Sequence, residues 1–269
     1  DYYASRGLGD VYKRQIMDPA EGWLACGITG VGRLPEPEAI VDWLEAKMCS
    51  TNELEGTTIL VTAGGTQESI DPVRYIGNRS SGKMGYAIAE QAAHMGAKVI
   101  LVSAPTSLPI PSGVDFISVD SAVSMQEAVE ARYNDVNVVI MAAAVSDFRV
   151  LHKAEQKIKK MESMTIELVK NPDILQGLGS KKSHQILVGF AAETEHVIKY
   201  GQDKVAKKNL DMLVANDVSK SNAGFNVDTN EGYFLYPDKE PKEMPNMKKS
   251  DLARHILREV IDLVANKHS

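Results

Sequence analysis

Short apolar runs alternate with longer amphipathic segments along most of the chain. Runs with the length and apolar content of buried strands cover residues 58–62, 97–102, 115–119, 136–144, 185–190 and 212–215, and 165–169 alternates like a half-buried strand. Apolar residues at helical spacing predict helices over 85–95, 121–133, 196–210 and 250–265, and 232–236 predicts a hairpin strand. This alternation predicts a doubly wound, Rossmann-like α/β fold, with a mostly parallel sheet, a late β-hairpin and a C-terminal helix.

Capping residues predict where two of these helices begin. Ser121 is a suitable N-cap for the helix over 121–133. Asn171 followed by Pro172 predicts a further helix, with the asparagine as its cap and the proline at its first position.

Composition divides the chain into four parts. Residues 1–15 lack both periodicity and an apolar signal core, and we interpret them as a leader outside the fold. Residues 16–48 hold a glycine-rich stretch and a short predicted helix over 37–47, but they are too few to bury a core of their own. The polar segment 49–56 is interpreted as a linker, and the α/β domain is expected over 57–269.

The overall composition excludes several classes of protein. The 269 residues are 43% hydrophobic and 25% charged, as in globular proteins, and no stretch approaches the roughly 20 apolar residues of a membrane helix. The two cysteines, Cys26 and Cys49, exclude a disulfide framework and indicate a reducing cytoplasm. A net charge of −6 argues against broad nucleic-acid binding, but it is compatible with a locally basic pocket for a small anion.

Residues that follow the predicted strands are the candidates for chemistry, because ligands of doubly wound sheets bind at the carboxyl ends of the strands. Gly64 and Gly65 follow the first strand and allow either close approach of a ligand or simply a tight turn. Three alanines at 142–144 leave room beside the most apolar strand. Asp147 comes next, either to accept hydrogen bonds from a ligand or to cap a helix or turn.

The loop before the first predicted helix resembles a phosphate-binding loop without being one. Residues 77–83 match the pattern GxxxxGK, but Met84 stands where a hydroxyl must bind Mg²⁺, which excludes a P-loop NTPase. Arg74, Asn78 and Arg79 crowd together ahead of the helix. They predict an anion site, unless one of the two serines that follow merely caps the helix.

Basic residues form two further clusters. Lysines dominate 157–160, and Lys204 and Lys208 lie four apart on one predicted helix face, where like charges repel. The clusters are either solvated surface or a site for a polyphosphate. None of the six histidines pairs with a cysteine or carboxylate at metal-ligand spacing, so the sequence leaves any metal ligands unknown.

Two further hypotheses remain open on the residues alone. Tyr200 and Lys204 match YxxxK, the catalytic pair of short-chain dehydrogenases, although the glycine fingerprint GxGxxG is missing. A nucleotide-dependent reductase is therefore one alternative. A nucleotide-binding scaffold without catalysis, whose N-terminal arm serves assembly, is the other.

Eight segments in order resemble the phosphopantothenoylcysteine synthetase family. They are 62–66, 71–74, 78–85, 142–149, 157–160, 170–174, 188–194 and 215–218. Residues 16–48 resemble the C-terminal tail of a flavin-dependent decarboxylase domain, that of phosphopantothenoylcysteine decarboxylase. Their glycine-rich stretch 25–33 resembles the substrate clamp of that enzyme, whose cysteine, here Cys26, donates a proton. Ile28 and Leu34 depart from that pattern, and the flavin-binding body and catalytic His and Asn of the decarboxylase have no counterpart in this sequence.

The resemblance implies a reaction of coenzyme A biosynthesis. The carboxylate of 4′-phosphopantothenate attacks the α-phosphorus of CTP, pyrophosphate leaves, and the amine of L-cysteine converts the acyl-cytidylate to phosphopantothenoylcysteine and CMP. CTP is implied because bacterial bifunctional members use it, whereas the free-standing eukaryotic type uses ATP. Mg²⁺ and a homodimer whose sites are completed by the partner chain are also implied. FMN and decarboxylase activity are not expected in this chain.

The resemblance also assigns roles by position. Asn78 and Lys157 are the catalytic residues it implies, with Asn78 on the acyl intermediate and Lys157 on the triphosphate. The nucleotide-binding residues are Asp147, Lys157, Pro172, Asp173, Ile174, Leu175, Phe190, Lys204 and Lys208. The substrate-binding residues are Arg74, Asn78, Ala143 and Ala144.

Overall fold

A computed structural model of the protein describes residues 17–23, 27–37, 40, 41, 44, 51–193, 195–217 and 229–267. The chain divides into two units, Asp1–Ser50 and Thr51–Ser269. The interpreted leader and Cys26 lie outside the described residues. In the first unit, β1 (Ala20–Trp23) pairs antiparallel with β2 (Thr29–Arg33). The predicted helix over 37–47 is described only at 37, 40, 41 and 44, and these residues are helical.

The second unit alternates strands and helices in the predicted order. Its strands are β3 (Thr58–Ala63), β4 (Gln67–Ser69), β5 (Tyr75–Gly77), β6 (Lys98–Ser103), β7 (Val114–Ser118), β8 (Val138–Met141), β9 (Phe148–Val150), β10 (Leu168–Lys170), β11 (Ile186–Glu193), β12 (Met212–Asp217), β13 (Thr229–Leu235) and β14 (Lys242–Lys248). Its helices are α1 (Lys83–His94), α2 (Ala122–Glu130), α3 (Ile174–Ser180), α4 (Val197–Lys207) and α5 (Lys249–Lys267), with a 3₁₀ turn at Tyr133–Asp135.

Eight of these strands form one sheet in the order β14-β13-β12-β11-β8-β3-β6-β7. The strands from β12 to β7 are parallel, and β13 and β14 join one edge as an antiparallel hairpin. The predicted doubly wound fold, with its mostly parallel sheet, late hairpin and C-terminal helix, is confirmed. Two small antiparallel sheets, β4 with β5 and β9 with β10, were not predicted as pairs, because three-residue strands carry little periodic signal.

The side chains of the central strands alternate between two cores on opposite faces of the sheet. In β3, Ile59 and Val61 belong to the core that α1 and α5 cover. Leu60, between them, belongs to the core that α2, α3 and α4 cover. A strand covered on both faces needs apolar side chains at every position, which explains why β8 is buried throughout.

The helix after Asn171 begins later than the sequence predicted. Asp173 is the N-cap of α3, and its Oδ1 accepts a hydrogen bond from the N–H of Gln176 at 3.0 Å. Pro172 therefore precedes the helix instead of opening it. Asn171 does not serve as the cap because its side chain is used elsewhere: its Oδ1 accepts from Arg149 Nη1 at 3.2 Å, and its Nδ2 donates to the carbonyl of Ser146 at 2.8 Å.

Other element boundaries agree with the predictions more closely. The cap at Ser121 is confirmed, since its side chain accepts from the N–H of Ser124 in a capping box. The helix there ends at Glu130 and gives way to the 3₁₀ turn. The central strand β8 ends at Met141, whereas the apolar run predicted a strand to 144. The chain leaves the sheet there, and Ala144 makes an isolated bridge to the segment that follows β3.

The residues just before β3 belong to the α/β unit. Leu54 is 1% exposed and is part of the core under α1. Its N–H donates to the carbonyl of Met95 at 2.9 Å, and the N–H of Thr51 donates to the carbonyl of His94. Composition assigned 49–56 to a linker, and this is corrected for 51–56, where apolar burial at one position outweighs a polar, turn-rich sequence.

The last helix, α5, closes the core next to α1. Its buried residues include Leu252, Ile256 and Val260, which recur at the spacing of one helix face. The other faces carry charged side chains, as expected of a helix that packs on a sheet. Within the described ranges, no helix combines the length and apolar character that would let it cross a bilayer.

Two helical glycines predict opposite effects on stability. A Cβ added to Gly85 in α1 would lie 2.6 Å from Ala63 Cβ and 2.8 Å from Thr62 O, so Gly85→Ala should lower the free energy of unfolding by about 1–3 kcal/mol. A Cβ added to Gly177 in α3 meets nothing within 4 Å. Gly177→Ala should therefore raise that free energy by up to about 1 kcal/mol through helix propensity. Urea denaturation of both variants measures the difference, and equal effects would contradict the tight packing of α1 on β3.

Candidate functional site

Two adjoining clefts open at the carboxyl ends of the parallel strands. The glycine-loop cleft, of about 340 Å³, is lined by Asn78, Ser80, Ser81, Gly82, Lys83, Met84, Gly85, Ala142, Ala143, Ala144, Val145, Asp147, Phe190, Ala191, Ala192, Lys204, Asn216, Asn230 and Lys249. The proline-loop cleft, of about 310 Å³, is lined by Met141, Ala143, Val145, Ser146, Asp147, Lys170, Asn171, Pro172, Asp173, Ile174, Leu175, Phe190 and Lys208. The two clefts share four residues, so they are two parts of one site.

The glycine loop presents the N-terminus of α1 to the first cleft. Gly82 is the N-cap, with φ 75°, and no side chain caps the helix, so neither Ser80 nor Ser81 has the capping role weighed as the alternative to an anion site. Gly64, with φ 80°, lies close to the backbone of Ala104: a Cβ on Gly64 would lie 2.6 Å from Ala104 O. The dipole of a helix and the N–H groups of its first turn favour an anion at such a position.

Hydrogen bonds fix the alanine segment against the end of β3. The N–H of Ala144 donates to Gly64 O at 2.8 Å, and the N–H of Ala143 donates to Thr62 Oγ1 at 3.1 Å. Farther along, the N–H of Ser146 donates to Thr66 Oγ1 at 2.9 Å. Both threonines are fully buried, so these hydrogen bonds hold the alanine segment in a fixed position. The small side chains of the segment leave space above the sheet.

Asn78 and Asp147 line the glycine-loop cleft together with the alanine segment. Asn78 Nδ2 donates to the carbonyl of Val145 at 3.2 Å, which holds the asparagine over the cleft. Asp147 lines both clefts. Its carbonyl accepts from the N–H of Asn171 at 2.7 Å, and it precedes β9 rather than a helix, so it is not a helix cap.

The two lysines of α4 and its C-terminus lie in different clefts. Lys204 lines the glycine-loop cleft and Lys208 the proline-loop cleft. Lys208 Nζ lies 2.9 Å from Asp173 Oδ2. Burial raises the pKa of the Asp173 carboxyl, but the bond from Lys208, the N–H of Gln176 and nearby positive charge outweigh it and hold the pKa below its usual value.

Arg74 and Lys157 lie together but line neither cleft. They border a separate surface cavity of about 440 Å³ with the other residues of 157–160. Arg74 Nη2 lies 2.9 Å from Asp71 Oδ2 and donates to Ile158 O at 2.6 Å. Asp71 is 2% exposed and also accepts from the N–H groups of Val73, Arg74 and Ile158. One buried carboxylate thus ties Arg74 to the backbone of Ile158, the residue that follows Lys157.

Four residues that sequence reasoning gave no role also line the glycine-loop cleft: Lys83, Asn216, Asn230 and Lys249. Among the described residues, buried side-chain atoms without a hydrogen-bond partner are Ser146 Oγ, Asn216 Oδ1 and Asn230 Oδ1. Ser146 lines the proline-loop cleft, and Asn216 and Asn230 line the glycine-loop cleft. A ligand bound in the clefts would supply the missing hydrogen-bond partners. Lys83 and Asn216 stand in segments that match the family, but only the fold brings Asn230 and Lys249 to the cleft.

The reductase alternative finds no support in the position of Tyr200. Its side chain is exposed and borders a surface cavity with Asp203, Lys204 and Lys207. Tyr200 lines neither the glycine-loop nor the proline-loop cleft, so it does not face a nucleotide bound there.

The described residues offer no protein-only metal centre. No group of three or more His, Cys, Asp or Glu side chains that could hold a metal ion occurs among them.

Fold and clefts together define a Rossmann-like α/β domain with a candidate ligand site at the carboxyl ends of its parallel strands. The chain matches the family described as DNA/pantothenate metabolism flavoprotein C-terminal domain over residues 54–264, and it belongs to this family. It is 48% identical over 252 residues to the coenzyme A biosynthesis bifunctional protein CoaBC of Bacillus subtilis, covering 92% of this chain and 62% of that protein. For the Escherichia coli protein of the same name, the identity is 44% over 263 residues, covering 96% and 63%.

A solved structure supports the same assignment. The crystal structure of the C-terminal domain of a CoaBC protein has a TM-score of 0.70 and 44% identity to this chain. The match between the two covers 80% of this chain and all of the crystallised domain. The chain spans a little over 60% of the length of the curated relatives that it matches.

Asp71→Asn should lower the melting temperature at neutral pH. Burial raises the pKa of the Asp71 carboxyl, but three backbone N–H donors and the Arg74 guanidinium outweigh it, so the folded-state pKa lies below its usual value. Such a carboxyl stabilises the fold above its unfolded pKa of about 4, and the stabilisation is lost as the pH falls through the folded pKa.

The loss on Asp71→Asn should accordingly be largest near pH 7 and shrink toward about pH 3. Thermal melts across this range measure it. The exposed Asp238→Asn serves as the control and should show no such trend. A loss independent of pH would contradict the assigned charge on Asp71.

Proposed function

We propose that this chain ligates 4′-phosphopantothenate to L-cysteine at the expense of CTP, through an acyl-cytidylate, in coenzyme A biosynthesis. The observation that carries the proposal is the glycine-loop cleft itself. An uncapped helix N-terminus, the lysines of three helices and Asn78 surround one space beside an alanine segment with no bulky side chains. The family and the names of its CoaBC relatives support the same activity.

The nucleotide would span both clefts. The proline-loop cleft is lined by Pro172, Leu175 and Phe190, whose apolar side chains suit the base. Asp147 lies at the junction of the clefts and accepts hydrogen bonds from hydroxyl or amino groups there. The phosphates would extend into the glycine-loop cleft, toward Lys204 and the N-terminus of α1, where positive charge and N–H donors favour them.

The first half-reaction transfers a nucleotidyl group. A carboxylate oxygen of phosphopantothenate forms a bond to the α-phosphorus, and the bond from that phosphorus to the oxygen bridging to the β-phosphorus breaks. The electron pair remains on the departing pyrophosphate. Cations already in place around this charge lower the barrier, because they need no reorganisation as it develops.

The second half-reaction forms the amide. The neutral amine of cysteine forms a bond to the activated carbonyl carbon, CMP leaves with the electron pair of the carbon–oxygen bond, and the nitrogen releases one proton to solvent as the amide forms. Asn78, bonded to Val145 O, has its position beside Ala143 and Ala144 fixed, so it can orient the acyl group for this attack.

Mg²⁺ fits this arrangement. Asn216 Oδ1 and Asn230 Oδ1 are buried oxygens without partners in the cleft proposed for the phosphates. Amide oxygens together with phosphate oxygens are suitable ligands for a hard cation, which when bound offsets the charge of the triphosphate.

Lys157 and Arg74 can contribute to the proposed reaction only if the protein is a dimer. Both lie at a cavity separate from the two clefts of their own chain. We propose that they reach the site of a second copy, as the resemblance of the chain implies for its family. Cyclic two-fold symmetry then gives each dimer two identical composite sites.

The other parts of the proposal concern the setting of the reaction. Decarboxylation is not expected of this chain, and bound FMN or release of CO₂ from phosphopantothenoylcysteine would contradict that. The cytoplasm is the proposed compartment, because two cysteines indicate reducing conditions. A nucleotide-binding scaffold remains the second candidate, favoured if CTP binds without release of pyrophosphate.

The test of the function is pyrophosphate release from nucleotide and phosphopantothenate, with CTP compared with ATP. CTP should support release without cysteine, and cysteine should then yield product. In Asn78→Asp, the added carboxylate repels the acyl-cytidylate and the amide donor is lost, so the second half-reaction should slow more than the first. The intermediate should accumulate and be detected by mass spectrometry. Equal loss of pyrophosphate release and product, with no trapped intermediate, would assign Asn78 another role.

Kinetics of lysine variants test the composite site. Lys157→Gln should lower kcat by roughly 10²-fold, because it removes a cation from the developing charge. Lys208→Gln should mainly raise the KM for CTP, the pattern of lost uniform binding. If Lys157 acts in the partner's site, mixing Asn78→Asp with Lys157→Gln should restore about a quarter of wild-type activity, since half of random dimers then hold one intact site. No recovery on mixing would place Lys157 in the site of its own chain.

A further inference from the structure

The wall of the proline-loop cleft contains a buried serine whose hydroxyl group is unpaired within the described part of the chain. Ser146 is 5% exposed and lines this cleft, and its Oγ has no hydrogen-bond partner among the described residues. A buried hydroxyl without a hydrogen bond costs free energy, so native structures usually provide a partner. A serine that keeps such a hydroxyl in a cleft wall is therefore a candidate for contact with a ligand.

Hydrogen bonds hold the backbone of Ser146 from two directions. Its N–H donates to Thr66 Oγ1 at 2.9 Å, and its carbonyl accepts from Asn171 Nδ2 at 2.8 Å. Thr66 and Asn171 are themselves buried, and Asn171 Oδ1 accepts from Arg149 Nη1 at 3.2 Å. Because the backbone is fixed, the freedom left to the hydroxyl is rotation about the Cα–Cβ bond. The hydroxyl can therefore turn toward a ligand without any movement of the main chain.

The local structure gives the Ser146 hydroxyl no other role. Serines often cap helices, but the element that follows Ser146 is the strand β9. Ser103, at the end of the parallel strand β6, is a useful comparison because it is also buried, at 1% exposed. Its Oγ donates to the carbonyl of Ala104 at 2.8 Å, whereas Ser146 Oγ makes no such bond. Burial of a serine at a strand end thus does not by itself leave the hydroxyl unpaired.

The other residues of the cleft indicate which part of a ligand Ser146 meets. Pro172, Leu175 and Phe190 line the same cleft with apolar side chains, which suit the faces of a planar ring. The edge of such a ring needs polar partners, and a serine hydroxyl can both donate and accept a hydrogen bond. Cytosine offers a ring nitrogen and a carbonyl oxygen as acceptors. A hydroxyl in an otherwise apolar wall therefore fits the edge of a nucleobase.

From these observations we propose that the Ser146 hydroxyl donates a hydrogen bond to the base of the nucleotide, and that the free protein is less stable because it keeps this donor unpaired. The inference rests on the proposed function, which assigns the base to the proline-loop cleft. It adds a binding residue that no sequence motif singled out. It also predicts that one substitution changes stability and affinity in opposite directions.

Thermal melts without ligand test the first half of the inference. Ser146→Ala removes an unpaired hydroxyl and leaves no new group unpaired, so it should raise the melting temperature by about 2–4 °C. Ser103→Ala is the matched control and should lower the melting temperature, because the carbonyl of Ala104 loses its donor. A fall in the melting temperature of Ser146→Ala would show that the hydroxyl has a partner in the free protein, and would overturn the inference.

Isothermal titration calorimetry tests the second half. Ser146→Ala should weaken the binding of CMP by roughly threefold to tenfold, as expected for the loss of one neutral hydrogen bond. It should leave the binding of 4′-phosphopantothenate unchanged. Ser103→Ala should bind both ligands like the wild type, since Ser103 lines neither the glycine-loop nor the proline-loop cleft. Equal weakening of both ligands by Ser146→Ala would indicate a general change of the site and contradict a contact with the base.

A ligand without ribose hydroxyls separates the base from the sugar. In 2′,3′-dideoxy-CMP the base is intact and both ribose hydroxyls are missing. The loss of affinity caused by Ser146→Ala should be the same for this ligand as for CMP, because independent contacts contribute additively. Disappearance of the loss with 2′,3′-dideoxy-CMP would assign the Ser146 hydroxyl to the ribose and overturn the proposed contact.

The same measurements separate failure of this inference from failure of the proposed function. Equal affinity of the wild type and Ser146→Ala for CMP overturns the inference, even if the wild type ligates cysteine with CTP. If the wild type binds CMP through Ser146 but releases no pyrophosphate from CTP, the proposed function fails and the contact with the base stands. If AMP binds in place of CMP, the assignment of CTP fails, and AMP with 2′,3′-dideoxy-AMP decides the inference. A wild type that binds neither nucleotide overturns both.

Discussion

The site depends on how the backbone leaves the two central strands, β3 and β8. The N–H of Ala144 bonds to Gly64 O, and two fully buried threonines, Thr62 and Thr66, accept N–H groups from the segment that follows β8. These bonds use the polar groups that a strand end would otherwise leave unpaired in the core. They also fix the floor of the glycine-loop cleft, against which the ligand and Asn78 are positioned.

Glycines at the start of α1 let this helix pack closely on β3 and line the glycine-loop cleft. Gly82 adopts the left-handed conformation that starts α1 without a side-chain cap, and Gly85 packs against Ala63 with no room for a Cβ. A larger residue at either position would push the helix N-terminus away from the cleft. The packing that stabilises α1 on β3 is thus also what exposes its N–H groups to an anion.

Positive charge is concentrated around the glycine-loop cleft. An acidic protein concentrates lysines from three helices around one cleft, and its buried Asp71 keeps Arg74 beside the loop of Lys157. Binding and the first chemical step would rely on the same positive potential.

The amino-acid sequence by itself determined the order of strands and helices, the parallel sheet and most of the cleft. These features are encoded locally: burial on both faces of a sheet requires continuous apolar runs, and Asn78, Asp147 and Lys204 stand directly after strands or on helices that end at one edge. Only the tertiary structure decided that α3 is capped by Asp173, because Asn171 is held by Ser146, whose position depends on another strand. It also decided that Arg74 and Lys157 lie apart from the clefts, and that Asn230 and Lys249, which no sequence motif singled out, line the glycine-loop cleft. Contacts between distant residues leave no periodic signal in the sequence, so pattern alone cannot reveal them.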